Sequence, residues 1–579
     1  MKKIILYTMF FVFANSLLQA QIPLDSENSG FTKTLKEKVI IYTDRDLYLS
    51  GEQIWFTAYI IVNNTFKEFE LSKIVYVELF DVAKKKVFKG KFEIKKNCAA
   101  GSFQIPGETL SGNYFIRAYT HYQRNFPPEN FATKIITIIN PGFTLPGQKQ
   151  ITDTIKNKTA DVGSQTKGFE NEIEIIVQTD KSVYQKREPL KLKLEMPGPH
   201  KNKMASLSVS VVRHGVFRQP KGSTTSFRTM ETESANDRQD LFWIPETRGV
   251  GISGTVSEKR TMEPLAGINI YLSVLGEKNQ FHIVKTKENG EFIFSLGYLV
   301  ESNEIFIGVE PNDGKDIQLF VNNDFSNDFP HLKNIPISID TTYKTLIEEM
   351  LVNFQSQKFF KPFNAGSNDV HQTRTGIFGK PDVSLHLADY IELDNLESIF
   401  FELIPSVRIK SNNNQKSLHV GNPETDWVFE NQLLLLDHVP VFDLDAILDI
   451  PPLKIEKIGV INKTYYLGDN TLRNVVMIDS KSRDFAGYEF PNGSIFIDYQ
   501  TITPGKTFDS PNYGNQSEKT SRIPDFRTLL YWDPEISISR SDTTISFFTS
   551  DNIGEYDIIV RGITTKGESC FGKGYIRLE

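Results

Sequence analysis

The sequence predicts a mainly β protein, a series of β-sandwiches placed around one mixed α+β unit. Three observations predict it. Runs of β-branched and aromatic residues recur along the 579 residues, in a chain holding 43 Phe and 21 Tyr, and such side chains suit sheet faces. One strand frame occurs twice at a fixed offset. Helical periodicity is confined to the middle of the chain. At about 100–200 residues per domain, this length implies roughly four or five cores. Hydrophobic residues at 39% and charged residues at 24% fit globular domains instead of disorder.

The first twenty residues read as a signal peptide. Lys2 and Lys3 are followed by an apolar run, Ile4–Phe13, and Ala20 stands before Gln21 as the small residue of a cleavage site. No Cys stands at that site to take a lipid, and no later apolar run reaches the ~20 residues of a membrane helix. Residues 21–142 hold strand signals at Val39–Tyr42, Ile54–Val62, Ile74–Phe80, Phe115–Tyr119 and Lys134–Ile139, enough for a sandwich. Residues 143–170 are polar and read as a linker. The opening frame then returns: Thr43, Asp44, Tyr48 and Glu52 match Thr179, Asp180, Tyr184 and Glu188, each 136 residues on (43 to 179). Residues 171–246 are therefore expected to form a second β domain, with a long loop at Lys221–Asp240.

In 247–335, "EPLAG" and "KENGEF" mark turns around Ile268–Val274 and the alternating Phe292 and Phe294, a further small sandwich. Residues 336–389 form a helical connector, because Tyr343, Leu346, Ile347, Met350, Leu351 and Phe354 follow a 3.6-residue period. In 390–484, Leu396, Ile399, Phe400 and Leu403 suggest a second helix. Leu433–Leu436, Ile455–Val460 and Val475–Asp479 suggest strands, and Asp443 or Asp445 suits a cap. This unit is α+β. Sheet signals resume in 485–579, where "GEYDIIVRGIT" echoes "GNYFIRAYT" through Gly-x-Tyr-x-Ile.

Composition and motifs exclude several chemistries. The formal net charge is −7, which argues against a nucleic-acid partner. Cys98 and Cys570 are the two cysteines and allow at most one bridge. No HExxH or GxSxG occurs, and the nine His show no ligand spacing. His121 and His282 sit beside strands in surface or packing roles. "PGKT" (Pro504–Thr507) has Gln500 where a phosphate loop needs its first Gly, and reads as an exposed turn. Asp44, Asp46 and Glu52 could suggest a cation site. Recurrence of Asp44 and Glu52 with the strand frame points instead to carboxylates capping turns. Trp55, Tyr119, Tyr122 and Phe126 stand among polar residues and are the candidate partner surface. Packing within half-buried sheets is the competing reading. No cofactor is implied.

Three resemblances rest on quoted residues. "YTDRDLYLSGEQIWFTAYI" with "GSFQIPGETLSGNYFIRAYT" resembles the macroglobulin domain of α2-macroglobulins and bacterial relatives, and residues 171–214 and the C-terminal region look like further copies. Gly254-x-Val256, "PLAG" and "TKENGEF" resemble carboxypeptidase regulatory-like domains, accessory modules without the peptidase zinc. "LDNLESIFFELIPSVRIK" with "NQLLLLDHVPVFDLDAILDIPPLKIEKIGVINKTYYLGDNTLRNVVMIDSKS" looks like the plug domain of TonB-dependent receptors. His438 and Asn474 stand where that family usually has Gly, and too few residues follow for its barrel. The macroglobulin thioester motif "CGEQ" matches neither "NCAAG" nor "SCFG".

Together the resemblances imply an exported, mainly β protein of a Gram-negative envelope, in the periplasm or associated with the outer membrane. The expected activity is non-enzymatic: a modular binding or scaffold protein, accessory to an outer-membrane transport or assembly system. Its expected partner is an envelope protein, and any membrane association runs through that partner. A macroglobulin-like endopeptidase inhibitor without the thioester is the alternative, and a cryptic hydrolase is the third reading.

Overall fold

The computed structural model describes residues 36–63, 70–142, 172–201, 203–217, 242–276, 279–297, 299–311, 315–331, 341–360, 378–390, 393–412, 415–421, 428–429, 432–468, 470–539 and 542–579. The expected signal peptide (1–20) and linker (143–170) lie outside them. The chain is mainly β, built of immunoglobulin-like sandwiches with one α+β unit.

The first sandwich pairs a three-stranded sheet with a five-stranded one. The smaller has the spatial order Glu37–Thr43, Gln53–Val62, Cys98–Gln104. The larger runs Leu47–Leu49, Ala132–Ile139, Gly112–Thr120, Ile74–Asp81, Lys86–Glu93. The second sandwich repeats this order and adds one short strand, Ile173–Glu174, parallel to Ser569–Leu578. Its small sheet is Ile176–Thr179, Pro189–Glu195, Thr543–Phe548. Its large sheet runs Val183–Tyr184, Ser569–Leu578, Gly554–Thr564, Met204–Arg213, Leu529–Ser539.

The two frame copies do the same work in each. Asp44 Oδ1 accepts from the Tyr48 hydroxyl at 2.8 Å and the Trp55 amide at 2.9 Å; Asp180 Oδ1 accepts from the Tyr184 hydroxyl and the Lys191 amide, both at 2.8 Å. Glu52 Oε2 accepts from Leu49 N and Glu188 Oε2 from Gln185 N, each at 2.7 Å. The carboxylates satisfy turn amides while the chain crosses between sheets. Each short strand between them then ends its sandwich's large sheet, pairing parallel with Ala132–Ile139 in the first and Ser569–Leu578 in the second. The Gly-x-Tyr echo is also structural. Tyr114 donates to Leu110 O and Tyr556 to Asn552 O, both at 2.8 Å, the corner that tethers a tyrosine to backbone four residues upstream.

This equivalence corrects the expected domain order. In the first sandwich a tight turn joins Ile74–Asp81 to Lys86–Glu93. In the second, the chain leaves the equivalent hairpin after Arg213 and returns at Leu529. Residues 171–246 are thus not a complete domain, and 485–579 is not a separate one. Met204–Arg213 needs Leu529–Ser539 and Gly554–Thr564 as its two neighbours. The third sandwich, expected at 247–335, is likewise split. Its sheets are Glu291–Ser295, Gly251–Glu258, Ile317–Val321 and Gln280–Lys285, Asn269–Leu275, Ser302–Val309, Ser494–Gln500. The last of these strands follows the α+β unit. The α+β unit interrupts the third sandwich, and both interrupt the second.

The α+β sheet has the order Val383–His386, Ile455–Leu467, Asn470–Ser480, Leu433–Leu436, Val439–Pro440. Val383–His386 thereby joins this unit, although the connector was expected to run to 389. Helix Leu396–Leu403 is capped by Asn395, which accepts from Ser398 N at 2.8 Å, and helix Leu444–Leu448 by Asp443, which accepts from Ala446 N at 3.0 Å. Asp437 and His438 make the hairpin turn with φ of 47° and 72°, and Asn474 has φ 64°. The two plug-family departures fall where the backbone itself favours Gly.

Strands Gln53–Val62, Ile74–Asp81 and Gly112–Thr120 are buried on both faces. The cause is neighbours on either side of the first sandwich. Tyr42, Tyr59 and Ile61 pack on Ile563 of the second sandwich. On the opposite side, Ile74, Tyr76, Tyr119 and Phe131 enter the core of the third. Helix Thr341–Phe360 lays Ile347 and Met350 against Leu47, Leu49, Trp532 and Phe571, sealing the first two sandwiches together.

Candidate functional site

Of the four proposed surface aromatics, Trp55 and Phe126 are half-buried and the other two are in cores. Tyr119 and Tyr122 are fully buried. Tyr119 stacks on Tyr76 with centroids 5.5 Å apart, and its hydroxyl donates to Glu78 Oε2 at 3.0 Å. Tyr122 lies in the first core with Phe126 packed on it at 5.6 Å. Trp55 meets Phe508 edge-on at 5.5 Å. Polar neighbours in sequence are no guide here because they are buried too: Thr120, His121 and Gln123 lie at the junction with the aromatic rings. The carboxylates near the frame are also committed, Asp46 to Lys134 at 2.7 Å and Glu52 to Arg45 at 3.0 Å. Among the described residues no group of His, Cys, Asp or Glu is placed to hold a metal. Cys98 and Cys570 are buried thiols, and burial pushes Cys570 up to about 12.

The candidate site is a groove of about 540 Å³ where three modules meet. That is within the usual range for ligand pockets. The first sandwich contributes His121. The third contributes two strand edges, Gln280–Lys285 and Glu291–Ser295, and the turn residue Lys287. The α+β unit contributes Leu467 and Gly468 at its long hairpin tip. The segment Ile244–Gly249 makes the floor. That segment is strapped down: Trp243 N donates to Asn125 Oδ1 at 2.9 Å, and the Arg124 guanidinium lies 3.4 Å from the Trp243 ring centroid.

Beneath the floor is a buried polar cluster. Glu246 Oε1 accepts from Gly251 N at 2.7 Å and from the Tyr76 hydroxyl at 3.0 Å. Burial pushes its pKa up to about 8. His121 Nδ1 lies 3.0 Å from Ile244 O, and burial lowers its pKa to about 4. Lys91 Nζ donates to Asp324 Oδ2 at 2.6 Å and to the Tyr499 hydroxyl at 2.8 Å, linking the first and third sandwiches. At the rim, Ser253 Oγ accepts from Asn322 Nδ2 at 3.0 Å, and His282 Nε2 is 3.1 Å from Gln280 Oε1. Arg248 and Lys287 are exposed.

Register fixes what the two edges present. Thr286 N donates to Ile268 O at 3.0 Å, so Gln280, His282 and Val284 are the residues hydrogen-bonded to Asn269–Leu275. The backbone groups of Phe281 and Ile283 then point outward. Leu296 N donates to Val250 O and Val256 N to Gly290 O, both at 2.9 Å. Phe292 and Phe294 therefore pair inward, and the backbone groups of Ile293 and Ser295 point outward. Sequence reasoning missed the groove because its parts lie in segments far apart; the Asn289-Gly290 turn was the one local signal.

The MG2 domain family model matches residues 38–131. No curated protein matches the chain. Solved structures similar to it include Salmonella α2-macroglobulin reacted with methylamine, with 8% identity over 94% of this chain and 39% of that one, at a TM-score of 0.23. The native α2-macroglobulin of Escherichia coli gives 9% identity over 94% and 40%, also at 0.23. Dimeric latent PorU of Porphyromonas gingivalis gives 12% identity over 49% and 33%, at 0.15. The chain spans about two fifths of the length of these macroglobulins. Residues 38–131, the first sandwich up to its last strand, Ala132–Ile139, are an MG2 macroglobulin domain.

Proposed function

We propose that the chain is a non-enzymatic binding and scaffold protein of the cell envelope, accessory to an outer-membrane transport or assembly system. One observation carries this reading: the first sandwich is packed on both faces by neighbouring modules, and three modules meet at one groove. A rigid junction of this kind fixes surfaces relative to one another. No helix among the described residues is long and apolar enough to cross a membrane; the proposed attachment is through a protein partner. The resemblance of residues 390–484 to receptor plugs suggests an outer-membrane protein as that partner.

The test is affinity capture of the full chain, cross-linked in intact envelopes. The reading expects one stoichiometric envelope partner; recovery of abundant bystanders alone contradicts it. The MG2 domain favours a second reading, endopeptidase inhibition without a thioester. Incubation with several endopeptidases separates the two. An inhibitor would form a complex or slow cleavage of a large protein substrate, and a scaffold would do neither.

A further inference from the structure

We propose that the groove takes an extended, acidic segment of a protein partner by strand addition to the Glu291–Ser295 edge of the third sandwich. The proposal rests on the binding role above and names where and what is bound. Three features carry it.

First, the edge is open. Glu291–Ser295 ends its sheet, with Gly251–Glu258 on its inner side. The outward N–H and C=O groups of Ile293 and Ser295 have no partner among the described residues. An added strand would satisfy both, the main-chain contribution common to strand-addition complexes. Second, the groove supplies side-chain contacts. Ile293 is 37% exposed beside the open edge, Leu467 of the α+β hairpin lines the same groove, and alternate residues of an added strand would reach these walls.

Third, the exposed charge among the residues that line the groove is basic, while Glu288 and Glu291 of the adjoining turn and strand start lie outside the lining. Glu246 is the sole carboxylate among the lining residues, and it is buried and hydrogen-bonded. The exposed charges are Lys287 and Arg248, and neither forms an ion pair with a described residue. They bracket the edge. Lys287 sits in the turn that leads into it, its N–H donating to Glu291 O at 2.8 Å. Arg248 adjoins Gly249, whose backbone abuts Leu296 O, just past the other end. Acidic groups toward both ends of an added strand meet these cations, and a basic peptide is repelled.

The probe is a randomised octapeptide display library selected on the full chain. The expected enrichment is for peptides without Pro in which apolar residues alternate with Asp or Glu. Ile293→Pro removes the outward donor while leaving the inward pairs of Phe292 and Phe294 intact. It should weaken the best selected peptide at least tenfold, with the thermal midpoint of the chain held. Arg248→Glu with Lys287→Glu, both on the surface, should weaken it at least tenfold and shift selection toward basic peptides. No enrichment, enrichment of basic or Pro-containing peptides, or binding unchanged in the double charge reversal overturns the proposal. If the double charge reversal still captures the envelope partner at the wild-type level, this site falls and the scaffold reading stands. If the wild-type chain captures no partner, the scaffold reading falls.

Discussion

The Tyr48 hydroxyl donates to Asp44 Oδ1 at 2.8 Å inside a turn that water does not reach. The same bond recurs between Tyr184 and Asp180, where the carboxylate is exposed. One motif therefore sits in two solvation environments. Tyr48→Phe should lower stability by about 1–3 kcal/mol, because it takes a donor from a buried carboxyl. Tyr184→Phe should cost less, since water replaces the lost donor at Asp180. Urea midpoints of the two variants, measured side by side, check the order.

The split sandwich predicts a viable excision. Joining Arg213 to Thr528 through a copy of the Val82–Lys85 turn, in a chain starting at 172, should give a folded β domain, because every strand of that sandwich is retained. A chain of 172–246 alone should remain unfolded, because Met204–Arg213 would lose both sheet neighbours. Amide dispersion in NMR spectra distinguishes the two.

Glu246 gives a pH dependence with a definite sign. Its folded pKa, about 8, stands above the ordinary 4.5, so the folded chain holds a proton that the unfolded chain releases. Its contribution is complete below about 4.5 and is lost as pH rises through about 8. His121 acts the other way. Its pKa is lowered from 6.5 to about 4, and its contribution is complete above 6.5 and lost as pH falls through about 4. Between pH 6.5 and 8 the Glu246 effect stands apart from that of His121. There, wild type should lose stability relative to Glu246→Gln by up to about 1.4 kcal/mol per pH unit. A difference that does not change with pH in that window contradicts this assignment.

Arg117 is a pin between the first sandwich and the segment that closes the third. It donates to Glu78 Oε2 at 2.6 Å, to Ser326 O at 2.6 Å, and to Asp328 O. Arg117→Met should cost about 1–3 kcal/mol, because Glu78 loses one buried partner but keeps Lys86 at 2.7 Å and the Tyr119 hydroxyl. Hydrogen exchange should rise across residues 323–331. Arg117→Met with Glu78→Gln should recover part of the stability but not the protection of that segment.

Local pattern made much of this legible in the sequence. The frame, the Gly-x-Tyr corners, the Asn289-Gly290 turn and the Asp443 cap each act within a few residues, and each appears where its pattern placed it. The nesting was not legible. Met204–Arg213 reads as a half-buried strand, but nothing near it names partners more than 300 residues away. Strand propensity is local and pairing is not. The aromatic residues failed for a related reason. Tyr119 stands beside polar Thr120 and His121, yet its ring lies at a junction created by a module that begins some 120 residues later. The groove has the same origin, since His121, Lys287 and Leu467 converge only after the modules dock.

The most direct test of the scaffold account is a photo-cross-linking residue at Lys287, at the groove rim, compared with one at Met262, exposed on the same sandwich. In intact envelopes the account predicts one discrete envelope-protein adduct from position 287 and none from 262. The same adducts from both positions, or none from 287 while the wild-type chain still captures a partner, would contradict it.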